Sequence, residues 1–173
     1  MAIRCLVLDV DGVLTKGEII YTSTGEEIKA FHAKDGLGLT LAHTMGLYTA
    51  IITGRTSPMV ERRAKELKIS HLQMGSHNKS EGLQELLKVL PITADEVAYI
   101  GDDLNDLGIM SKVGLPITPQ DGAKEVKDIA HYICQAKGGE GAVREAVEYI
   151  LKHEGLWEEA VRKYKDESYH TGQ

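Results

Sequence analysis

Cysteine is nearly absent from this sequence. Its two cysteines, Cys5 and Cys134, lie far apart in apolar segments and without C-x-x-C spacing. Neither a disulfide framework nor a thiolate metal site is expected, and both read as small core residues in a reducing cytoplasm. Long apolar runs are missing as well: none nears the roughly 20 residues that span a bilayer, and the first stops at Asp9. No membrane segment and no secretory signal are therefore expected. Excess positive charge is lacking too, with 20 Lys and Arg against 26 Asp and Glu, a net charge of −6 and a pI near 5.6. This argues against nucleic acid or anionic membrane as a partner, so an anionic ligand must be met by local basic residues. The seven histidines show no H-E-x-x-H or other paired spacing, which gives zinc no site. Gly139-Glu140-Gly141 lacks the third glycine and the preceding strand of a dinucleotide-binding turn. No internal repeat, low-complexity tract or interdomain linker interrupts the chain.

What is there reads as one domain. A chain of 173 residues, 42% of them hydrophobic, can build a full core. Short apolar runs alternate with helical patterns, which predicts an α/β fold: a doubly wound parallel sheet with helices on both faces. Strands are expected at 3–9, 47–52, 70–74, 96–100, 114–117 and 131–134. Helices fit at 36–46, 57–68, 79–90, 104–112, 121–129 and 140–153. In the second of these, Met59, Val60, Ala64 and Leu67 recur at helical spacing, and Ser57-Pro58 supplies an N-cap and a first-turn proline. Residues 17–31 break the alternation. Two β-prone arms around Ser23-Thr24-Gly25 predict a hairpin flap projecting from the end of the first strand. Residues 1–153 form the single domain in this reading. Residues 154–173 form a helical docking tail, polar and expected to fray from Asp166.

The most informative stretch is Asp9-Val10-Asp11-Gly12, directly after the apolar Cys5-Leu6-Val7-Leu8. Two carboxylates at the tip of a buried strand are costly to desolvate unless something pairs them, as a divalent cation and a phosphoryl group would. Three further features sit at strand ends or helix starts: Thr53-Gly54-Arg55, Lys79, and Gly101-Asp102-Asp103-Leu104-Asn105-Asp106. Ligands on open parallel sheets bind beyond the carboxyl ends of the strands, so these groups can converge on one crevice. A dianionic phosphate monoester repels a carboxylate nucleophile, so positive charge must be brought in. Asp9, Asp102 and the backbone carbonyl of Asp11 are expected to hold Mg²⁺, with Lys79, the Thr53 hydroxyl and the Gly54 N–H on the phosphoryl oxygens. Asp9 is the expected nucleophile and Asp11 the acid/base. Asp103 and Asp106 are expected to orient metal-bound water or cap the next helix.

In this order the motifs resemble those of the haloacid dehalogenase superfamily of phosphatases. The segments 30–38, 51–55 and 138–145 extend the resemblance to its 3-deoxy-D-manno-octulosonate 8-phosphate phosphatase family. In related phosphatases of nine-carbon, sialic-acid-type sugars the residue after Thr-Gly tends to be acidic, whereas here it is Arg55. The resemblance implies hydrolysis of an anionic phosphosugar acid through an aspartyl phosphate, in lipopolysaccharide biosynthesis. Substrate contacts are then expected from His32 (where asparagine is usual), Lys34, Arg55 and Arg63, while Asp35 and Gly36 would meet sugar hydroxyls or order their loop. Neither the gap between Asp11 and the helix near 36 nor that between Thr53 and Lys79 holds a cap domain. The resembling family is a homotetramer, which implies that a neighbouring subunit closes the site and that Arg144 reaches into it. The competing class is a receiver-type signalling module with a phosphorylated aspartate. There, however, the acidic pair precedes an acceptor on a middle strand, and a long-lived switch would not want Asp11 beside it.

Overall fold

The computed structural model describes residues 2–166, and the expectation for the chain beyond Asp166 lies outside them. Six strands form one sheet: β1 (Cys5–Leu8), β4 (Tyr48–Ile52), β5 (His71–Gln73), β6 (Val97–Ile100), β7 (Leu115–Thr118) and β8 (Tyr132–Ile133). All neighbours are parallel, in the order β5-β4-β1-β6-β7-β8. β1 is therefore central, with Leu8 level with Ile51 on one side and Ile100 on the other. The chain winds outward in both directions from it, and the crevice of a doubly wound sheet opens at such a reversal.

Both faces of β1 are apolar, and its side chains alternate between two cores. Leu6 and Leu8 join Leu39 of α1 (Ala33–Thr44), Val60 and Ala64 of α2 (Pro58–Glu66), and Val143, Val147 and Ile150 of α6 (Ala142–His153). Cys5 and Val7 meet Leu83 and Leu86 of α3 (Lys79–Val89), Ile109 of α4 (Leu107–Met110) and Val126 of α5 (Lys124–Ile129). Both cysteines are free and buried, and burial pushes each thiol up to about 12, so neither is a nucleophile. α7 (Trp157–Lys165) packs back on the first core through Ala160, Trp157 and Tyr164. Among the described residues no helix is long and apolar enough to cross a membrane.

The hairpin exists as β2 (Ile20–Tyr21) paired antiparallel with β3 (Glu27–Ile28), turning at Gly25 with φ of +86°. Two helix expectations are corrected. α1 begins three residues early because the His32 ring accepts a hydrogen bond from the Lys34 N–H and so caps it. The helix expected over 104–112 is a 3₁₀ turn at Leu104–Asp106 followed by the short α4. Asp106 turns its carboxylate back onto the loop before it, which tightens that turn.

Candidate active site

Asp9 follows β1, its N–H donating to Ile100 O, and its side chain is buried at the tip of the sheet. Asp11 follows through a turn that Gly12 makes at φ of +85°. A Cβ on Gly12 would sit 1.9 Å from Asp102 Oδ2, so this turn must lack a side chain for the loops after β1 and β6 to meet. A Cβ on Gly138 would sit 1.8 Å from Gly12 O, and the Gly139 N–H donates to Val13 O. The Gly-rich loop before α6 is thus the outer wall of the same turn.

Lys79, first residue of α3 and only 4% exposed, is driven under the cleft by the Asn78 cap. Its Nζ lies 2.9 Å from Asp9 Oδ2 and 2.7 Å from Asp106 Oδ1. Burial alone would lower this ammonium, but the two carboxylates outweigh it and the net shift is upward. Asp106 is saturated: Oδ1 also accepts from the Tyr99 hydroxyl, and Oδ2 accepts from the Asp102 and Asp103 N–H groups. It locks Lys79 and the β6 loop together. Burial and the Asp106 charge hold the Tyr99 hydroxyl protonated, far above its usual range, as a permanent donor.

Asp9, Asp102 and Asp106 bring carboxylate oxygens within 4.8 Å of one another. Burial first, then the Asp106 charge, raises Asp9 to about 6 against the pull of Lys79. Burial first, then Asp9 and Asp106, raises Asp102 to about 8. Such carboxyls lack positive charge. With both Asp106 oxygens engaged, Asp9 and Asp102 remain as a hard-oxygen donor pair that fits a magnesium-type cation.

Above them opens a cleft of about 250 Å³ lined by Asp9, Asp11, Thr53, Gly54, Arg55 and Asp102, with Asp103 and Asn105 at its rim. Thr53 follows β4 directly, where its N–H donates to Gln73 O and its C=O accepts from the Ser76 N–H. The acids of the first and fourth expected strands, the Thr-Gly pair and the buried lysine therefore converge.

The comparisons agree with this geometry. Residues 71–147 match the haloacid dehalogenase-like hydrolase family. The 3-deoxy-D-manno-octulosonate 8-phosphate phosphatase KdsC of Escherichia coli (strain K12) is 44% identical over 158 residues, covering 91% of this chain and 84% of the relative. This chain belongs to the 3-deoxy-D-manno-octulosonate 8-phosphate phosphatase family. One such phosphatase, from Moraxella catarrhalis, was solved with magnesium ion, phosphate ion and a KDO molecule. It is 44% identical, with a TM-score of 0.91 over 94% of this chain and 93% of that one. The cobalt-bound deoxy-D-mannose-octulosonate 8-phosphate phosphatase of Haemophilus influenzae is 36% identical, with a TM-score of 0.87 over 90% of this chain and 91% of that one.

Not every residue expected from the octulosonate phosphatase resemblance reaches the cleft. Asp35 is buried, and its Oδ1 accepts from the Arg144 N–H at the start of α6. A Cβ on Gly36 would sit 2.6 Å from Arg63 Nη2, so that glycine makes room for a helix contact. Both residues pack α1 against its neighbouring helices, which fits the loop-ordering half of their expected role. The Arg63 guanidinium lies over Phe31 and pairs with Glu66; Arg144 pairs with Glu148 and lies over Trp157. His32 caps α1 and lines a separate cavity of about 240 Å³ under the flap, while Lys34 sits exposed on the first turn of α1.

Two residues went unrecognised in the sequence. The Lys29 side chain is 1% exposed, with Nζ 2.6 Å from Asp11 Oδ1 and 3.1 Å from Glu27 Oε1. Glu27 also pairs with Arg55 Nη2 at 3.0 Å. A lysine and a glutamate two apart on one arm of a hairpin look like any solvated hairpin. Only their position beside the Asp-x-Asp tip distinguishes them.

Proposed function

We propose that this chain is a Mg²⁺-dependent phosphatase that hydrolyses 3-deoxy-D-manno-octulosonate 8-phosphate, serving lipopolysaccharide biosynthesis in the cytoplasm. The observation that carries the reading is Asp9 Oδ2 held 2.9 Å from the buried Lys79 ammonium at the floor of a cleft walled by Thr53, Gly54 and Asp102.

Asp9 and Asp102 would hold the cation together with the Asp11 carbonyl. When bound, it neutralises charge between the carboxylates and the phosphate dianion. Lys79 supplies a fixed positive charge beside the nucleophile, and the Thr53 hydroxyl and Gly54 N–H receive phosphoryl oxygens. Asp9 attacks phosphorus and the ester P–O bond breaks, while the leaving alkoxide takes the proton of the Asp11 carboxyl. The Asp11 carboxylate then takes a proton from water. That water attacks the aspartyl phosphate, cleaving its P–O bond, and inorganic phosphate leaves with Asp9 restored. Arg55, 43% exposed at the rim, suits the carboxylate of the sugar acid by its planar fork.

A homotetramer is part of the proposal. The flap exposes Ile19, Ile20, Tyr21 and Ile28, apolar surface that a neighbouring subunit would cover while closing the open cleft. Arg144 would then act from the adjacent subunit. Sedimentation as a fully active monomer would remove this part.

The test is a phosphate-release assay on the eight-carbon sugar phosphate and its nine-carbon sialic-acid-type counterpart, with and without chelator. Turnover should favour the former and stop with chelator. Asp9→Asn should cost at least about a thousandfold in kcat. An active Asp9→Asn variant would end the proposal.

A further inference from the structure

The reaction assigns proton transfer to Asp11, yet little of its own loop aims its carboxylate. The shortest contact to its side chain comes from the flap. Lys29 Nζ lies 2.6 Å from Asp11 Oδ1, in a side chain 1% exposed, whereas the other cation nearby, Arg55, stands 3.9 Å away and is 43% exposed. An ammonium so enclosed needs partners, and it has two: Asp11, and Glu27 at 3.1 Å on the same arm of the hairpin. Burial opposes the charged form of Lys29, but the hydrogen bonds to Asp11 and Glu27 outweigh it. The lysine stem lines the cavity beneath the flap, and its head emerges against the wall of the reaction cleft. Glu27 in turn ties Lys29 to Arg55, joining the flap to the residue assigned to the sugar acid.

We propose that Lys29 is a positioning residue for Asp11: it holds the acid/base toward the cleft, so that the hairpin, not the turn carrying Asp11, sets its aim. The inference rests on the reading of Asp11 as the acid/base. It extends that reading by making flap placement a condition of turnover. Substrate that fills the cleft and draws on Arg55 also bears, through Glu27, on how firmly Asp11 is held.

Lys29→Met keeps the stem and removes the charge. With the sugar phosphate it should lower kcat by about thirtyfold or more while KM stays within about threefold. The decisive readout uses p-nitrophenyl phosphate, whose leaving group departs without a proton. Asp9 should still take up phosphorus in the first turnover, but a misdirected Asp11 cannot activate water. Rapid mixing should therefore show a burst of nitrophenol equal to the enzyme present, followed by slow turnover. Lys29→Arg should recover much of the steady rate and abolish the burst. Asp11→Asn is the reference. If it keeps full activity, the acid/base reading itself has failed. If it shows the loss and the burst but Lys29→Met does not, the positioning role alone has failed. Three results for Lys29→Met overturn the proposal: normal kcat, a defect confined to KM, or equal losses on both substrates without a burst. Should Lys29→Met not fold, Glu27→Gln loosens the same lysine. It should give the same burst at smaller size, and wild-type turnover there would count equally against the idea.

Discussion

At the scale of single residues, the site is a problem of unbalanced charge. Asp9, Asp102 and Asp106 crowd together with Lys79 as the buried cation among them. A carboxyl whose folded pKa is raised keeps its proton after the unfolded chain has lost it. Its contribution to stability is therefore present in acid and lost as pH rises, here from the ordinary carboxylate range to about 8 for Asp102. A divalent cation binds the ionised pair and reverses the loss. Calorimetry on chelated protein should show the melting temperature falling between about pH 5 and about pH 8. Added Mg²⁺ should raise it little at the lower pH and strongly at the higher. A magnesium effect equal at both would contradict the charge account. That Asp9, Asp102, the Thr-Gly pair and Lys79 would lie together was legible because strand ends and helix starts are readable from pattern. Glu27 and Lys29 were not, because an ion pair across 18 residues of hairpin leaves no periodic trace.

At the scale of elements, what escaped the sequence came from side chains replacing standard caps. Histidine is not a usual N-cap, and Gly36 and Gly38 weaken the helical signal, so α1 looked shorter than it is. The glycines stand where α1 meets other helices: a Cβ on Gly38 would lie 3.1 Å from Arg144 Cα. Asp35 joins the same contact by accepting from the first turn of α6. Asp35→Ala should cost about 1–2 kcal/mol in denaturant unfolding through the lost cap, with Asp35→Asn costing less. KM should stay unchanged in both; a raised KM would return Asp35 to the sugar.

At the scale of the whole molecule, the alternating pattern gave the sheet and its two helical layers, since the central strands β1, β4 and β6 are buried on both faces. The centre of that sheet and the flap differ in how they are secured. β1 is hydrogen-bonded on both sides within the core, whereas the hairpin rests on two two-residue strands and a pair of ionic contacts. Local opening draws on the weakly held parts first. Amide exchange should therefore be fast through residues 18–28 and slow through Cys5–Leu8, and catalysis should fail in urea well before circular dichroism changes. Such a protein goes silent while still folded, and on dilution it would resume work on the timescale of a hairpin closing, microseconds, without waiting for a sheet to be rebuilt.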